Sequence, residues 1–251
     1  MPMYVHQAGR ADAASIVFLH GLGLSGAMWQ PQFERLPDYQ CLAPDLPEHG
    51  KSADLGPFTL KEASTQVAAL IRKYTPNGRA HVVGLSLGGA VAVRMLLDVP
   101  EVIDHVMVSG AMTRLDPAFA NINTMMGFLG PDQLAQLIFL QSHIPQHYHH
   151  LVLEGVRTVK PTVFSHFSHE VTQIEFPHQV HVPMLITVGQ NETFVVQQAA
   201  REMSTTIQGA KGVMVPGVGH IWNLEAPDLF TDTMRSWVTD TPLPQASIHF
   251  K

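Results

Sequence analysis

A serine set between glycines is the first group in this 251-residue chain that could carry out chemistry. Ser86 lies in GLSLGG at 84–89, after an apolar run at 80–83 and before a helix-forming run at 90–97. A strand, a sharp turn and a helix with serine at the apex form a nucleophile elbow. The glycines remove side chains that would collide there, and the helix directs its positive dipole end toward an oxyanion formed near Ser86. We therefore predict that Ser86 is a nucleophile.

A serine hydroxyl is a weak nucleophile at neutral pH, so a base must accept its proton. The chain has 15 histidines, and only their context can select one. His220 ends the segment VPGVGH at 215–220, where two glycines form a loop after the last predicted strand. Such a loop presents its side chains at the carboxyl ends of the strands, where open α/β sheets build their sites. We therefore predict that His220 is the base.

The base in turn needs an acidic side chain to orient it, which in the order serine, acid, histidine lies between Ser86 and His220. Glu192 is the only carboxylate in the loop GQNET at 189–193, which follows a predicted strand. Asp116, a few residues after the strand that ends near Ser109, is the alternative. We predict Glu192 as the acid and leave Asp116 open.

An oxyanion formed at the attacked carbonyl needs two backbone N–H donors in place before reaction. Leu87 follows the nucleophile at the start of the helix and offers one. The second donor is predicted in the loop HGLG at 20–23, which follows the apolar run 16–19. Its glycines allow a close fold that turns the Leu22 N–H inward. We predict Leu22 and Leu87 as the oxyanion hole.

Five segments carry a resemblance to a known family: HGLGLSGAMW at 20–29, PDLPEHGKS at 44–52, GLSLGG at 84–89, TVGQNET at 187–193 and GVGHIWNLEAPDLF at 217–230. With these segments in this order, the chain resembles the α/β-hydrolase superfamily, in particular its small, capped, esterase-like members. The resemblance covers nearly the whole chain. It implies that Ser86 is the nucleophile, that His220 is the base, and that Leu22 and Leu87 donate to the oxyanion.

Two positions depart from the family pattern. Glu192 stands where the family usually has aspartate, and its extra methylene requires the loop to sit back by about one carbon–carbon bond length. Glu48 replaces a common glycine in the segment 44–52. In the same segment we interpret Asp45, His49 and Ser52 as structural residues that tie a loop near the site.

The alternation of apolar runs with helical patterns predicts an α/β fold, a doubly wound and mostly parallel sheet. The core is predicted over 1–112 and 179–251. The predicted strands lie at 15–20, 40–44, 80–85, 105–109, 184–189 and 212–215, and the predicted helices at 27–36, 60–74, 87–97, 195–207 and 226–238.

Residues 113–178 interrupt the alternation and are predicted to form a helical cap above the sheet. Helices are predicted there at 121–129, 132–140 and 147–158. The segment is rich in methionine, phenylalanine and histidine, and its apolar side chains could line an acyl pocket or form the core of the cap itself. The side chains predicted to contact substrate are Met125, Phe128, Phe139 and Trp222.

The composition excludes several classes of partner. With a net charge of −6 and no basic cluster, the chain is not suited to bind nucleic acid. No apolar run approaches 18 residues and the N-terminus lacks a signal-peptide pattern, so we expect a soluble cytoplasmic protein without stable membrane association. Cys41 cannot form an internal disulfide and is predicted to be a buried strand residue. The oligomeric state stays open.

A cluster of histidines at 143, 147, 149 and 150 raises the question of a metal site. Only Glu154 follows closely as a carboxylate, so we predict a polar helix face and no metal. The predicted reaction needs no cofactor.

The resemblance implies a serine hydrolase that cleaves carboxylic esters of small to medium apolar acyl groups through an acyl-enzyme on Ser86. The same triad supports lactone opening and the hydrolysis of carbon–carbon bonds, and these remain alternatives. A further alternative is a ligand receptor that keeps the hydrolase fold but has little enzymatic turnover. Fold alone does not choose among these functions.

Overall fold

The computed structural model describes residues 2–112, 117–244 and 248–249. One sheet forms the centre of the molecule. Its strands are β1 (Val5–Gly9), β2 (Ser15–Leu19), β3 (Gln40–Pro44), β4 (Ala80–Leu85), β5 (Ile103–Ser109), β6 (Gln179–Gly189), β7 (Gln208–Val215) and the two-residue β8 (Ile248–His249).

The strands lie in the spatial order β1-β3-β2-β4-β5-β6-β7-β8. All neighbours from β3 to β7 pair in parallel, and β1 and β8 pair antiparallel at the two edges. Every residue of β2 and β3 is buried. Their continuous apolar sequences suit a parallel sheet that is covered on both faces. The predicted fold class, a doubly wound and mostly parallel sheet, is confirmed.

Ten helices connect or follow these strands within the described residues. They are α1 (Gln30–Arg35), α2 (Leu60–Tyr74), α3 (Leu87–Asp98), α4 (Pro117–Met126), α5 (Pro131–Gln141), α6 (His149–Thr158), α7 (Thr162–Thr172), α8 (Phe194–Thr206), α9 (Trp222–Glu225) and α10 (Pro227–Val238). The helix predicted at 60–74 has these bounds in the structure. Its start is set by Thr59, whose side-chain oxygen accepts a hydrogen bond from the Glu62 amide at 3.1 Å.

Four helices, α4 to α7, lie in sequence between the neighbouring strands β5 and β6. We call residues 117–172 the α4–α7 segment. Within it α4 packs against α7 and α5 packs against α6. The sequence predicted three helices here and missed α7, whose apolar residues are interrupted by serine, threonine and histidine.

Other differences from the predicted elements lie at edges and ends. The edge strand β1 was not predicted, because it is short and only partly buried. The helix predicted at 27–36 is a 3₁₀ turn (Gly26–Trp29) followed by α1. Cys41 is buried in β3, as predicted, and burial raises the pKa of its thiol to about 12. In the described parts of the chain, every helix is too short or too polar to cross a membrane.

Two histidines face each other where β4 and β5 begin, at the end of the sheet opposite Ser86. The rings of His81 and His105 lie 5.1 Å apart. His81 Nδ1 is buried, and it has no hydrogen-bond partner among the described residues. Burial, with a smaller contribution from the charge of His105, lowers the pKa of His81 to about 4. The folded state therefore favours neutral His81.

We expect this pair to make the fold sensitive to acid. As the pH falls from about 6.5 toward 4, the unfolded chain takes up a proton at His81 that the folded chain does not, so the free energy of unfolding decreases. His81→Phe removes that proton site and should flatten the loss over this pH range relative to wild type, as measured by urea unfolding at several pH values. His178→Phe, at an exposed position, is the control. Parallel curves for wild type and His81→Phe would contradict the assignment.

Candidate active site

Ser86 occupies a strained turn between β4 and α3. Its backbone angles are φ 53° and ψ −114°, in a region that residues with a side chain rarely adopt. The Ser86 amide donates a 2.8 Å hydrogen bond to the carbonyl oxygen of Ser109, at the end of β5. Strain of this kind persists only where the surrounding structure enforces it, and it is concentrated at functional sites.

The surrounding structure enforces the conformation of Ser86 because three backbone segments approach each other closely. A Cβ atom at Gly84 would overlap the carbonyl oxygen of Gly88, and one at Gly88 would overlap the carbonyl oxygen of Leu19. The end of β4, the start of α3 and the end of β2 are therefore in direct backbone contact. Only glycine allows this, which explains the glycines of the 84–89 segment.

The loop 20–23, which carries the predicted donor Leu22, lies against Ser86. A Cβ at Gly21 would be 3.6 Å from the Ser86 Cβ. Leu22 is half-buried, and Leu87 is the first residue of α3, where helix geometry leaves the amide N–H without an internal partner. Both predicted oxyanion donors thus belong to backbone segments that border the nucleophile.

A buried histidine holds this loop in place. His20 accepts a 2.9 Å hydrogen bond at Nε2 from the Leu46 amide, so its Nδ1–H donates to the Gly21 carbonyl oxygen, also at 2.9 Å. Burial lowers the pKa of His20, which keeps the ring neutral in this arrangement.

His220 and Glu192 form a direct pair. His220 Nδ1 lies 2.6 Å from Glu192 Oε2, with the carboxylate side chain 1% exposed and the imidazole 39% exposed. Burial opposes the charged imidazolium, but the Glu192 charge and hydrogen bond outweigh it and raise the pKa of His220. The pair can therefore accept a proton at Nε2 while Nδ1–H stays bonded to the carboxylate.

The longer side chain of glutamate fits because Glu192 bonds back to its own loop. Its Oε1 accepts a 3.0 Å hydrogen bond from the Gly189 amide, which leaves Oε2 for His220. The loop is also tied to the loop of His220, since the Asn191 amide donates to the Val218 carbonyl oxygen at 2.9 Å. The backbone therefore fixes the carboxylate in position.

Gly110 connects this pair to Ser86, and the sequence reasoning did not single it out. A Cβ there would lie 2.8 Å from His220 Nδ1 and 3.1 Å from Glu192 Oε2. The preceding residue, Ser109, accepts the Ser86 amide. Among the described residues, no direct hydrogen bond joins Ser86 Oγ to His220. The two residues are connected instead through Ser109, which bonds to the Ser86 amide, and Gly110, which lies against His220. A glycine directly after a strand was the available signal.

Asp116 lies outside the described residues.

Trp222 does not take the substrate-facing position predicted for it. Its side chain is fully buried, and its indole N–H donates a 2.7 Å hydrogen bond to Ser109 Oγ. Its ring packs 4.5 Å from that of Phe230. Because Ser109 also accepts the Ser86 amide, Trp222 supports the turn of Ser86 through Ser109, and its buried ring offers substrate no surface.

The other residues predicted to bind substrate lie in the α4–α7 segment. Met125 and Phe128 are exposed, Phe128 by 87%. Phe139 is half-buried and stacks on the His149 ring at 3.9 Å. No contact of these three with Ser86 or the loop 20–23 is seen in the described part of the chain, and their contact with substrate stays a prediction.

Different residues of the α4–α7 segment cover the loop 20–23. A Cβ at Gly23 would lie 3.4 Å from Phe164 Cζ and 3.7 Å from a Leu134 methyl carbon. A Cβ at Gly155 would lie 2.6 Å from the Leu24 Cα, which places α6 directly on this loop. The sequence reasoning missed Phe164 because it missed α7.

The turn 44–52 ties the site to the edge of the sheet. Asp45 accepts 2.8 Å hydrogen bonds from the Gly26 and Lys51 amides. His49 Nε2 accepts from the Gly23 amide at 3.2 Å. Burial and the neighbouring His20 lower the pKa of His49 to about 3. Ser52 accepts from the Tyr4 amide at 2.9 Å. These contacts agree with the structural role expected for Asp45, His49 and Ser52.

The histidines at 143–150 bond within their own segment. His149 Nε2 lies 3.0 Å from the Ile144 carbonyl oxygen, and His150 Nδ1 lies 2.8 Å from the His147 carbonyl oxygen. Across the described ranges, no three histidine, cysteine, aspartate or glutamate side chains are grouped so that they could hold a metal ion.

Comparison with known proteins gives the family. Residues 16–233 match the profile of the alpha/beta hydrolase family. The chain belongs to this family. The match contains every motif described above, including the nucleophile turn and the loops of Glu192 and His220.

Individual relatives carry esterase and lactonase names. The chain is 26% identical to carboxylesterase YbfK of Bacillus subtilis over 258 residues, which covers 94% of this chain and 83% of the relative. Its structure is similar to a thermophilic esterase from Thermogutta terrifontis (TM-score 0.80, 20% identity, 95% and 93% of the two chains). It is also similar to the enol-lactonase from Burkholderia xenovorans LB400 (TM-score 0.77, 22% identity, 94% and 96%).

We expect the pKa of His220 to depend on Glu192. Glu192→Gln removes the charge that raises it and leaves the burial that lowers it, so the pKa should fall below the ordinary histidine value near 6.5. The measurement is an NMR titration of the histidine ring protons, with His220→Gln to assign the signal. Asp116→Asn, the alternative acid, is the matched control and should leave the His220 pKa unchanged. A fall with Asp116→Asn alone would move the acid to Asp116.

Proposed function

We propose that the protein is a serine hydrolase that cleaves carboxylic esters of small to medium apolar acyl groups, with Ser86 as nucleophile, His220 as base and Glu192 as acid. The observation that carries this proposal is the hydrogen bond of 2.6 Å between His220 and the buried carboxylate of Glu192, beside the strained turn of Ser86. A glycine-rich turn with an unreactive serine would have no reason to be paired with such a dyad.

The reaction begins at the ester carbonyl. Ser86 Oγ attacks the carbonyl carbon while its proton passes to His220 Nε2, which gives a tetrahedral intermediate and an imidazolium. The amides of Leu22 and Leu87 donate to the oxyanion. The carbon–oxygen bond to the alcohol then breaks, and His220 gives its proton to the departing oxygen. The acyl group stays on Ser86.

Water completes the cycle. His220, neutral again, takes a proton from a water molecule that attacks the acyl carbon, and the second tetrahedral intermediate collapses to release the acid and restore Ser86. Glu192 holds the tautomer that leaves Nε2 free and stabilises the imidazolium formed in both halves of the reaction. The raised pKa of His220 supports this role.

The α4–α7 segment acts in this proposal as a cap over the acyl group. Phe164 and Leu134 pack on the loop of Leu22 and are themselves buried, so the α4–α7 segment forms an apolar roof whose position limits the space left for an acyl chain on Ser86. Met125, Phe128 and Phe139 are proposed as contacts for a longer chain at the edge of this roof. The similarity to a carboxylesterase over most of both chains supports ester chemistry.

We expect Ser86→Ala to abolish hydrolysis of p-nitrophenyl acetate, butyrate and hexanoate. Removing the nucleophile of such a triad lowers kcat by at least about a thousandfold. A fluorophosphonate probe should label the wild-type protein at Ser86, with loss of fluoride as the phosphorus–oxygen bond forms, and peptide mass spectrometry locates the adduct. Ser64→Ala, at a buried serine in α2, is the control.

The same assay separates the alternatives. A wild-type protein that hydrolyses a γ- or δ-lactone far faster than any aryl ester would change the substrate class but keep the triad. Labelling without multiple turnover of any ester or lactone would favour a receptor with the hydrolase fold. An unlabelled wild-type protein would refute Ser86 as the nucleophile.

A further inference from the structure

The carboxylate of Glu48 is buried between the core and α7. Its side chain is 6% exposed and accepts three hydrogen bonds, from the Phe58 amide at 2.9 Å, from Thr162 Oγ1 at 2.5 Å and from His166 Nδ1 at 2.7 Å. Two of these partners lie on α7. The Glu48 carbonyl oxygen also accepts the Lys160 amide at 2.8 Å, just before α7 begins.

The local backbone is arranged to admit this side chain. Glu48 has a φ of 67°, a conformation that favours glycine. A Cβ at Gly56 would lie 2.8 Å from Glu48 Cγ, so a side chain at position 56 would collide with that of Glu48. Burying a carboxylate is unfavourable unless its oxygens are hydrogen-bonded, and here both are. The carboxylate of Glu48 is therefore kept here although its backbone conformation and its removal from water are both unfavourable.

The contacts of Glu48 lead to the nucleophile side of the molecule. Thr162 and His166 flank Phe164 on α7, and the Phe164 ring contacts the loop 20–23 at Gly23. The next residue, His49, accepts the Gly23 amide. Two consecutive residues therefore hold the two parts that meet at Gly23: Glu48 bonds to α7, and His49 bonds to the loop of Leu22.

We propose that Glu48 is a positioning residue that fixes α7, and with it Phe164, over the loop 20–23, and that it thereby sets the selectivity of the site for longer acyl groups. This inference rests on the proposed function, because selectivity has meaning only if Ser86 is acylated. A short acyl group on Ser86 needs little space and is indifferent to the position of α7, whereas a longer group must fit between the loop 20–23 and the α4–α7 segment. A longer group gains binding energy only if the roof is in place.

Three variants test the proposal. Glu48→Gln keeps the size of the side chain but removes its negative charge and one of its two acceptor oxygens. Glu48→Gly removes the link and relieves the positive φ, so a loss of function in it does not come from strain. Asp54→Asn is the matched control, because the ion pair of Asp54 with Lys160, at 2.9 Å, joins the same two parts of the chain at an exposed site.

We expect KM for p-nitrophenyl hexanoate to rise roughly tenfold in both Glu48 variants, the discrimination that apolar contacts of one or two methylenes supply. KM and kcat for the acetate should stay within about twofold, and Asp54→Asn should behave as wild type. Hydrogen–deuterium exchange of residues 160–171 should be faster in the Glu48 variants and unchanged in Asp54→Asn.

The outcomes are separable. An equal loss for acetate and hexanoate, unchanged exchange in 160–171, or an equal effect of Asp54→Asn would overturn the role of Glu48. A wild-type protein without esterase activity would refute the proposed function, while the exchange measurement would still show whether Glu48 holds α7. A merely structural contact would lower stability and kcat for all esters alike and would leave their ratio unchanged.

Discussion

The close approach of three backbones around Ser86 is the constraint on which the rest of the site depends. The end of β2, the end of β4 and the start of α3 touch at Leu19, Gly84 and Gly88. This contact forces Ser86 into its strained conformation and fixes the loop 20–23 beside it. Because adjacent parallel strands end at the same edge of the sheet, Ser109 and the loops of Glu192 and His220 reach the same place. A side chain at either glycine would displace all of them together.

The sequence predicted most of the sheet, because the inner strands are continuous apolar runs that can be buried only between helices. It failed where burial is partial. The edge strand β1 pairs with a single neighbouring strand and has two exposed and three half-buried residues, so its pattern is weak. The helix α7 was missed for a different reason. Its polar residues, Thr162 and His166, face a buried carboxylate of the core, and tertiary contacts of this kind leave no periodic signal.

For the site, the sequence predicted the residues that stand in sharp turns after strands, and it did less well with those that support them. Glu192 could be proposed from its loop alone, and the structure places it against His220. Trp222 was misread because a large aromatic residue close in sequence to His220 is as compatible with packing as with binding. Only the hydrogen bond to Ser109 distinguishes the two. Gly110 offered no side chain to reason from, since its role is to leave space.

In the turn 44–52, buried carboxylates fix the position of neighbouring segments in a way that apolar packing alone does not. Apolar packing tolerates small sliding of one surface on another, but a buried carboxylate with three donors has one satisfied geometry. Asp45 fixes the turn to the loop after β2 through the Gly26 amide, and Glu48 fixes α7 to the turn. His49, neutral because burial lowers its pKa, can accept from Gly23 where a protonated ring could not. The loop 20–23 beside Ser86 and the helix α7 that packs on it are therefore aligned by hydrogen bonds whose loss would leave charges or dipoles buried without partners.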